Sequence, residues 1–149
     1  MSNGFQLKYL WHDNDCREYE ASASNGEFAG RVKAYISIGD LAKAAATLEG
    51  FPRNLSDTRE FQFGAFGRES AGGGLRLRFF CKDPSGHAAV EFRFESEGES
   101  NTGSKWNLPE QTANFFGEIE AHAVDEFVVA LRQLEETIHG TAWLRFTDS

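Results

Sequence analysis

The chain has 149 residues, a formal charge of −8 at pH 7 and a hydrophobic fraction of 40%. This length favours one domain, since a chain of about 150 residues can bury roughly 70% of its unfolded surface. The acidic balance argues against a protein that binds nucleic acid through bulk positive charge. With 14 Phe, 3 Trp and 3 Tyr, the chain is too rich in apolar rings for a disordered tail.

The sequence also points to a compartment. It contains no run of 18 apolar residues, so no membrane span is expected. Residues 1–10 lack the charged and apolar regions of a secretory signal. Cys16 and Cys81 lie far apart in sequence and would both remain thiols in a reducing compartment. We therefore predict a cytoplasmic protein.

Three strands and a helix are predicted in the first third of the chain. Alternating apolar residues predict strands over 5–11, 19–23 and 28–36. Apolar residues at helical spacing predict a helix over about 40–49. Gly50 would end this helix by adopting a left-handed conformation.

The strongest local pattern is a hairpin that follows a further strand at residues 61–65. Apolar and polar residues alternate over 75–81 and again over 90–94. The linking sequence Asp83-Pro84-Ser85-Gly86 is typical of a type I turn. A shift by one residue would bury charge, so the register is well specified. The predicted pairs are Phe79 with Val90, Leu77 with Phe92, Leu75 with Phe94 and Arg78 with Glu91.

A strand over 111–119, a second helix over about 122–136 and a short strand over 141–146 complete the chain, with Gly140 as the helix stop. The strands follow one another through short turns, which favours antiparallel pairing. We predict a single α+β domain over residues 1–149. It has a mainly antiparallel sheet of about six to eight strands and two helices, with the C-terminal helix packed on a sheet face. The sequence shows no internal repeat.

Motifs for catalysis and for metal binding are weak. Ser70 lies in a segment close to a nucleophile elbow, but Arg68 stands where the elbow needs glycine, and no helix follows. Residues 70–74 are glycine-rich and are interpreted as a flexible turn. The four histidines are scattered, whereas zinc sites need clustered ligands. We expect His87 to hydrogen-bond locally, and we predict a non-enzymatic protein with no organic cofactor and no metal.

The outward side of the hairpin is the candidate surface for a partner, chosen for exposure and charge. The simpler interpretation is that its arginines and glutamates pair across the strands. If the surface binds a partner, reversing Glu91 and Glu95 to lysine should slow association and change its salt dependence. The candidate residues are Arg76, Arg78, Glu91, Arg93 and Glu95.

Two aromatic residues, Tyr35 and Phe80, fall on the nominally polar sides of their strands. They either mark a binding patch, since aromatic residues are enriched at interface hot spots, or lie under helices that cover both sheet faces. Phe-rich strands favour the second interpretation, with one helix on each face.

Several segments together resemble a known family. They are Phe28-Ala29-Gly30, the run LEGFP from residue 48, EFQFG from residue 60, LRFFCKDPSGHAAVEF over 77–92 and EAHAVDEFVVALRQL over 120–134. Across residues 28–144 the chain is similar to small bacterial proteins described as WapI-type immunity proteins. The resemblance implies a cytoplasmic protein that binds and neutralises a protein toxin. It implies no catalytic residues.

The acidic surplus is concentrated in residues 76–149, where 13 acidic side chains face 7 basic ones. The simpler interpretation of this surplus is solubility. Alternatively, such a surface would suit a basic toxin by electrostatic complementarity. The alternative function is a small-molecule-binding domain with a pocket between sheet and helix, suggested by the many aromatic residues and the glycine-rich turn. An enzyme would require residues distant in sequence, such as His87 and His122, to converge.

Overall fold

The structure, a computed structural model, describes residues 3–67, 72–97 and 109–147. Within these ranges it contains eight strands and two helices, and each predicted element is present with ends that differ by a few residues. In chain order the elements are β1 (Gly4–His12), β2 (Arg17–Ser24), β3 (Ala29–Ile36), α1 (Asp40–Leu48), β4 (Thr58–Gly64), β5 (Gly74–Cys81), β6 (Ala88–Glu95), β7 (Thr112–Ile119), α2 (Ala121–Thr137) and β8 (Thr141–Arg145).

The strands form two antiparallel sheets of four strands each. The first sheet has the order β3-β2-β1-β8 and the second has the order β4-β5-β6-β7. Each sheet is a meander of neighbouring strands, and each meander is followed by a helix. In the first sheet β8 pairs with β1, so β8-β1-β2-β3 correspond in order to β4-β5-β6-β7 of the second sheet. The topology is therefore duplicated, although the sequence shows no repeat.

The core lies where the two sheets and α2 meet. Phe5 of β1 stacks on Phe92 of β6 with ring centroids 5.3 Å apart, and Phe127 of α2 meets the Phe5 ring edge-on at 5.8 Å. All three side chains are completely buried. The sequence prediction that the C-terminal helix packs on a sheet face is confirmed.

The two helices pack against each other. Arg132 of α2 donates to Glu49, just after α1, over 2.9 Å. The expectation that each helix covers a separate sheet face is therefore wrong. Because the helices lie together, the outer sides of both sheets keep exposed and half-exposed side chains.

The two helices end differently. Gly50 adopts the left-handed conformation predicted after α1, with φ of 78°. After α2 the C-cap residue Ile138 is already left-handed, with φ of 51°, and Gly140, which the sequence predicts as the helix stop, follows with φ of 95°. The amide of Ile138 donates to Leu134 O over 3.0 Å, which holds this strained residue in place.

Among the described residues, neither α1 nor α2 has the length and apolar character that a membrane-spanning helix needs.

Three hydrogen bonds join the edges of the two sheets. Gly73 N donates to Lys33 O of β3, Thr147 N donates to Glu118 O of β7, and Asn25 Nδ2 donates to Phe116 O of β7, each over 2.8 Å. Exposed sheet edges invite pairing with other chains, and these bonds occupy part of the β3 and β7 edges. The outer sides of the sheets remain open.

Candidate functional site

The outer side of the second sheet carries the residues that the sequence selects. The hairpin has the predicted register, including Phe79 opposite Val90 and Arg78 opposite Glu91. Strands β4 and β7 extend it on either side. We call this surface the β4–β7 face. Its main members are Glu60, Gln62, Arg76, Arg78, Phe80, Glu91, Arg93, Asn114, Phe116 and Glu118.

Ion pairs cross the strands of the β4–β7 face. Arg78 Nε lies 2.9 Å from Glu91 Oε1, which confirms the cross-strand pair expected from the hairpin. Arg76 instead approaches Glu60 of β4, with Nε and Oε1 3.7 Å apart. Because these side chains are partly exposed, each pair stabilises the fold by about 1 kcal/mol or less.

Glu95 does not belong to the accessible surface. The register places it on the same side as Glu91, but the residue is only 7% exposed. Its Oε1 accepts a hydrogen bond from Gly67 N over 2.7 Å. The loop after β4 thus covers this carboxylate, and the expectation that Glu95 is exposed is wrong. A charge reversal intended to alter association is informative at Glu91 alone.

Two arginines of the face rest on phenylalanine rings. The guanidinium carbon of Arg78 lies 4.6 Å from the centre of the Phe80 ring, and that of Arg93 lies 5.4 Å from the Phe66 ring. Cation–π contacts of this kind contribute about 0.5–1 kcal/mol at exposed sites. They also favour one orientation of each planar guanidinium group, which therefore loses less conformational freedom when it binds a partner.

An aromatic pair adjoins the arginines. Phe80 of β5 and Phe116 of β7 meet edge-on with centroids 6.1 Å apart, and Ala89 of the intervening β6 is opposite Phe80. Phe116 is 49% exposed. Sequence reasoning did not single out Phe116, although Phe115 faces the core and its neighbour must therefore face outward. Phe66, which orients Arg93, lies in the loop after β4, where no alternation of apolar and polar residues could predict its position.

Tyr35 lies on the other sheet. It projects from β3 and is 37% exposed, opposite Glu18 of β2. The neighbouring Glu18 carboxylate is the main cause that raises the pKa of Tyr35. Tyr35 and Phe80 therefore do not form one patch, and no helix buries either of them.

The histidines make local contacts. His87 Nδ1 lies 2.7 Å from Asp83 Oδ2 within the hairpin turn, as expected, and this contact lowers the pKa of Asp83. His122 is exposed and lies 3.3 Å from Glu120 Oε2, so the two candidate histidines have separate partners. Within residues 3–67, 72–97 and 109–147, no three His, Cys, Asp or Glu side chains gather to hold a metal ion. Ser70 and Arg68 lie outside the described residues.

A surface cavity of about 380 Å³ lies between the start of α2 and the end of β8. Its lining mixes charged and apolar groups, with His122, Arg145 and Phe146 among them. Deeper between the sheets and α2, the space is filled by the contacting rings of Phe5 and Phe92 with Phe127. The structure thus offers a surface depression near the position predicted for a pocket, above a filled core.

Comparisons of the chain with known protein families, with curated proteins and with solved structures find no match. The resemblance to WapI-type immunity proteins therefore stays a prediction. What the structure defines is the class of fold: a single small α+β domain with two antiparallel sheets and a helix packed on them.

Proposed function

We propose that this protein is a non-enzymatic protein-binding domain of the immunity type, which neutralises a protein toxin by contact through the β4–β7 face. The observation that carries the proposal is the composition of this uncovered sheet face. It combines arginines fixed on phenylalanine rings with a half-exposed Phe116. The family resemblance suggests the toxin as partner, and the exposed aromatic and arginine side chains support the choice of this surface.

Arginine and aromatic residues dominate the hot spots of protein interfaces. A side chain that is already ordered loses less entropy on binding, and each immobilised flexible side chain otherwise costs about 0.5–1.5 kcal/mol. Arg78 is held by both Glu91 and Phe80. The face therefore presents a rigid centre, which suits a lasting contact with a folded partner.

The acidic surplus lies partly elsewhere and has a different role in the proposal. Asp125, Glu126 and Glu136 are exposed on α2, and Glu120 is exposed just before it. These charges raise the rate of encounter with a basic partner over a distance of about one Debye length, ~8 Å at physiological salt. Steering and contact are thus assigned to different surfaces.

The test takes any toxin domain found to be encoded beside this gene, mixes it with the purified protein and titrates the pair by calorimetry. We expect Phe116→Ala and Arg78→Ala each to weaken binding by about tenfold or more, as hot-spot truncations do. Co-expression of the wild-type protein, but not of these variants, should restore growth of cells that produce the toxin.

Matched controls come from the outer side of the first sheet. Trp143 is 41% exposed there, and Arg31 is also exposed. Trp143→Ala and Arg31→Ala should leave the affinity unchanged. Loss of binding in these controls with none in the face variants would place the interface on the first sheet. Undetectable binding of the wild-type protein at micromolar concentrations would remove that toxin as the partner.

A further inference from the structure

A row of hydrogen-bond donors crosses the whole β4–β7 face. The register places Gln62 of β4 opposite Arg76 of β5, Arg76 opposite Arg93 of β6, and Arg93 opposite Asn114 of β7. Two guanidinium groups and two amides thus lie side by side over four strands, and the row contains no carboxylate. The adjacent row is different, because there Glu60 and Glu91 flank Arg78.

The two arginines at the centre of the row are direct cross-strand neighbours. Side chains in such positions have Cβ atoms about 5 Å apart, and like charges there destabilise the sheet. Arg76 has one carboxylate nearby, Glu60, with Nε and Oε1 3.7 Å apart. In the described part of the chain, no carboxylate lies within 4 Å of Arg93, which rests on the Phe66 ring.

Arg78 is an arginine of this face that has both a carboxylate partner and a ring contact. Its Nε donates to Glu91 over 2.9 Å, and its guanidinium group covers Phe80. Arg93 has the ring contact without the carboxylate. The face therefore holds a pair of adjacent cations that lacks a full complement of anionic partners.

We propose that Arg76 and Arg93 together bind a carboxylate side chain of the protein partner, while Phe116 contacts an apolar residue next to it. The proposal rests on the protein-binding function assigned above and names the chemistry of the contact. Guanidinium groups bind carboxylates through paired N–H···O bonds, which are about twice as strong as neutral hydrogen bonds. A partner that is basic overall can still present one carboxylate to this row.

The occupant is a single carboxylate of a protein rather than a nucleic acid backbone. A backbone would place successive phosphates along the face, where Glu60 and Glu91 follow directly after the arginine row. The protein as a whole carries −8, which repels a polyanion. One carboxylate beside an apolar side chain meets neither obstacle.

The experiment uses a library of random twelve-residue peptides displayed on phage, selected on the intact protein. We expect the captured peptides to be enriched in Asp or Glu next to an apolar residue. The best peptide is then synthesised with its acidic residue and with the matching amide. Calorimetry should show binding about tenfold or more weaker for the amide form, because a hydrogen bond to a charged group is lost.

Variants of the protein locate the contact. Arg93→Gln and Arg76→Gln should each weaken the acidic peptide by about tenfold or more and leave the amide form nearly unaffected, so that the effects are not additive. Arg31→Gln on the other sheet is the control and should change nothing. Circular dichroism and melting curves check that each variant is folded, and Arg93→Lys, which keeps the charge without the planar fork, should lose part of the affinity.

The outcomes separate this inference from the proposed function. Peptides that require Phe116 but show no acidic preference would overturn the carboxylate site and leave the β4–β7 face as the interface. Peptides bound equally by wild type, Phe116→Ala, Arg76→Gln and Arg93→Gln would overturn both. Capture of a single-stranded dT12 oligonucleotide through Arg76 and Arg93, without acidic peptides, would assign the row to nucleic acid instead.

Discussion

Asp57 and Arg59 organise the connection between α1 and β4. Two nitrogens of Arg59 bind the two carboxylate oxygens of Asp57 over 3.1 and 2.8 Å. Its remaining nitrogen donates to Thr47 O and to Glu49 O at the end of α1. From the sequence this segment is a polar connection, because the pattern cannot show which carbonyl groups a guanidinium will reach. One arginine thus ends a helix and orders the loop behind it.

The pH dependence of stability follows from this contact. The hydrogen bonds from Arg59, and then that from Arg53 N, lower the pKa of Asp57 below its ordinary value of 3.8. The folded state therefore releases the proton more readily than the unfolded state. The stabilisation is complete above the unfolded pKa and is lost as pH falls through the folded one. We expect this contribution to make the melting temperature of wild type fall as pH drops below about 4.

Replacement of the carboxylate checks the assignment. Asp57→Asn should lower the melting temperature at pH 7 and flatten its dependence on pH between 2 and 5, because the titrating group is gone. Asp125→Asn, at an exposed position on α2, is the control and should keep the wild-type slope. An unchanged slope in Asp57→Asn would contradict the role of Asp57.

At the level of secondary-structure elements, the structure explains why the turn before β5 is rich in glycine. From the sequence alone, its glycines indicate flexibility. The structure places Gly72 against the Tyr35 ring and Gly73 and Gly74 against neighbouring backbone, and residues 68–71 lie outside the described ranges. A Cβ built on Gly73 would lie 2.8 Å from Glu95 O and 3.0 Å from Val32 Cβ. The glycine permits the second sheet to approach β3.

We expect Gly73→Ala to destabilise the fold by about 1–3 kcal/mol, the usual cost of overpacking. The added methyl group would push the turn away from β3 and lengthen the bond from Gly73 N to Lys33 O. Chemical denaturation measures the loss, and hydrogen exchange at the Gly73 amide should become faster. Wild-type stability in Gly73→Ala would show that the two sheets can separate here without cost.

At the scale of the whole molecule, a network of rings joins all layers of the fold. Phe92 contacts Phe5 of the other sheet and also Phe115 and Phe146, with centroid distances from 5.3 to 5.7 Å. Phe5 in turn meets Phe127 of α2. Since neither sheet has a separate core, we expect the chain to unfold in one cooperative transition.

Two phenylalanine variants test this prediction. Phe92→Ala should cost about 3–5 kcal/mol, as expected for a fully buried ring, and should shift tryptophan fluorescence and far-ultraviolet circular dichroism together. Phe28→Ala removes a ring that is 62% exposed and should change stability by less than about 0.5 kcal/mol. Separate transitions for the two signals would mean that the sheets unfold independently.

Hydrophobic patterning along the chain predicts the helices, the strands and the hairpin register. Alternation of apolar and polar residues with a period of two predicts strands. Only one pairing register of the hairpin buries Leu77 and Phe79 while leaving Arg78 outside the core, and that register is observed. These are local consequences of hydrophobic patterning. The same reasoning placed four of the five candidate residues on an accessible surface, because a strand alternates its side chains between two faces.

The arrangement of these elements in space depends on tertiary contacts that no local pattern contains. It divides the strands between two sheets, places β8 beside β1 and pairs the helices with each other. It also buries Glu95 under the loop at Gly67 and places Phe66 beneath Arg93. These arrangements depend on contacts between residues distant in sequence, whose free energy is set by packing in three dimensions rather than by periodicity along the chain.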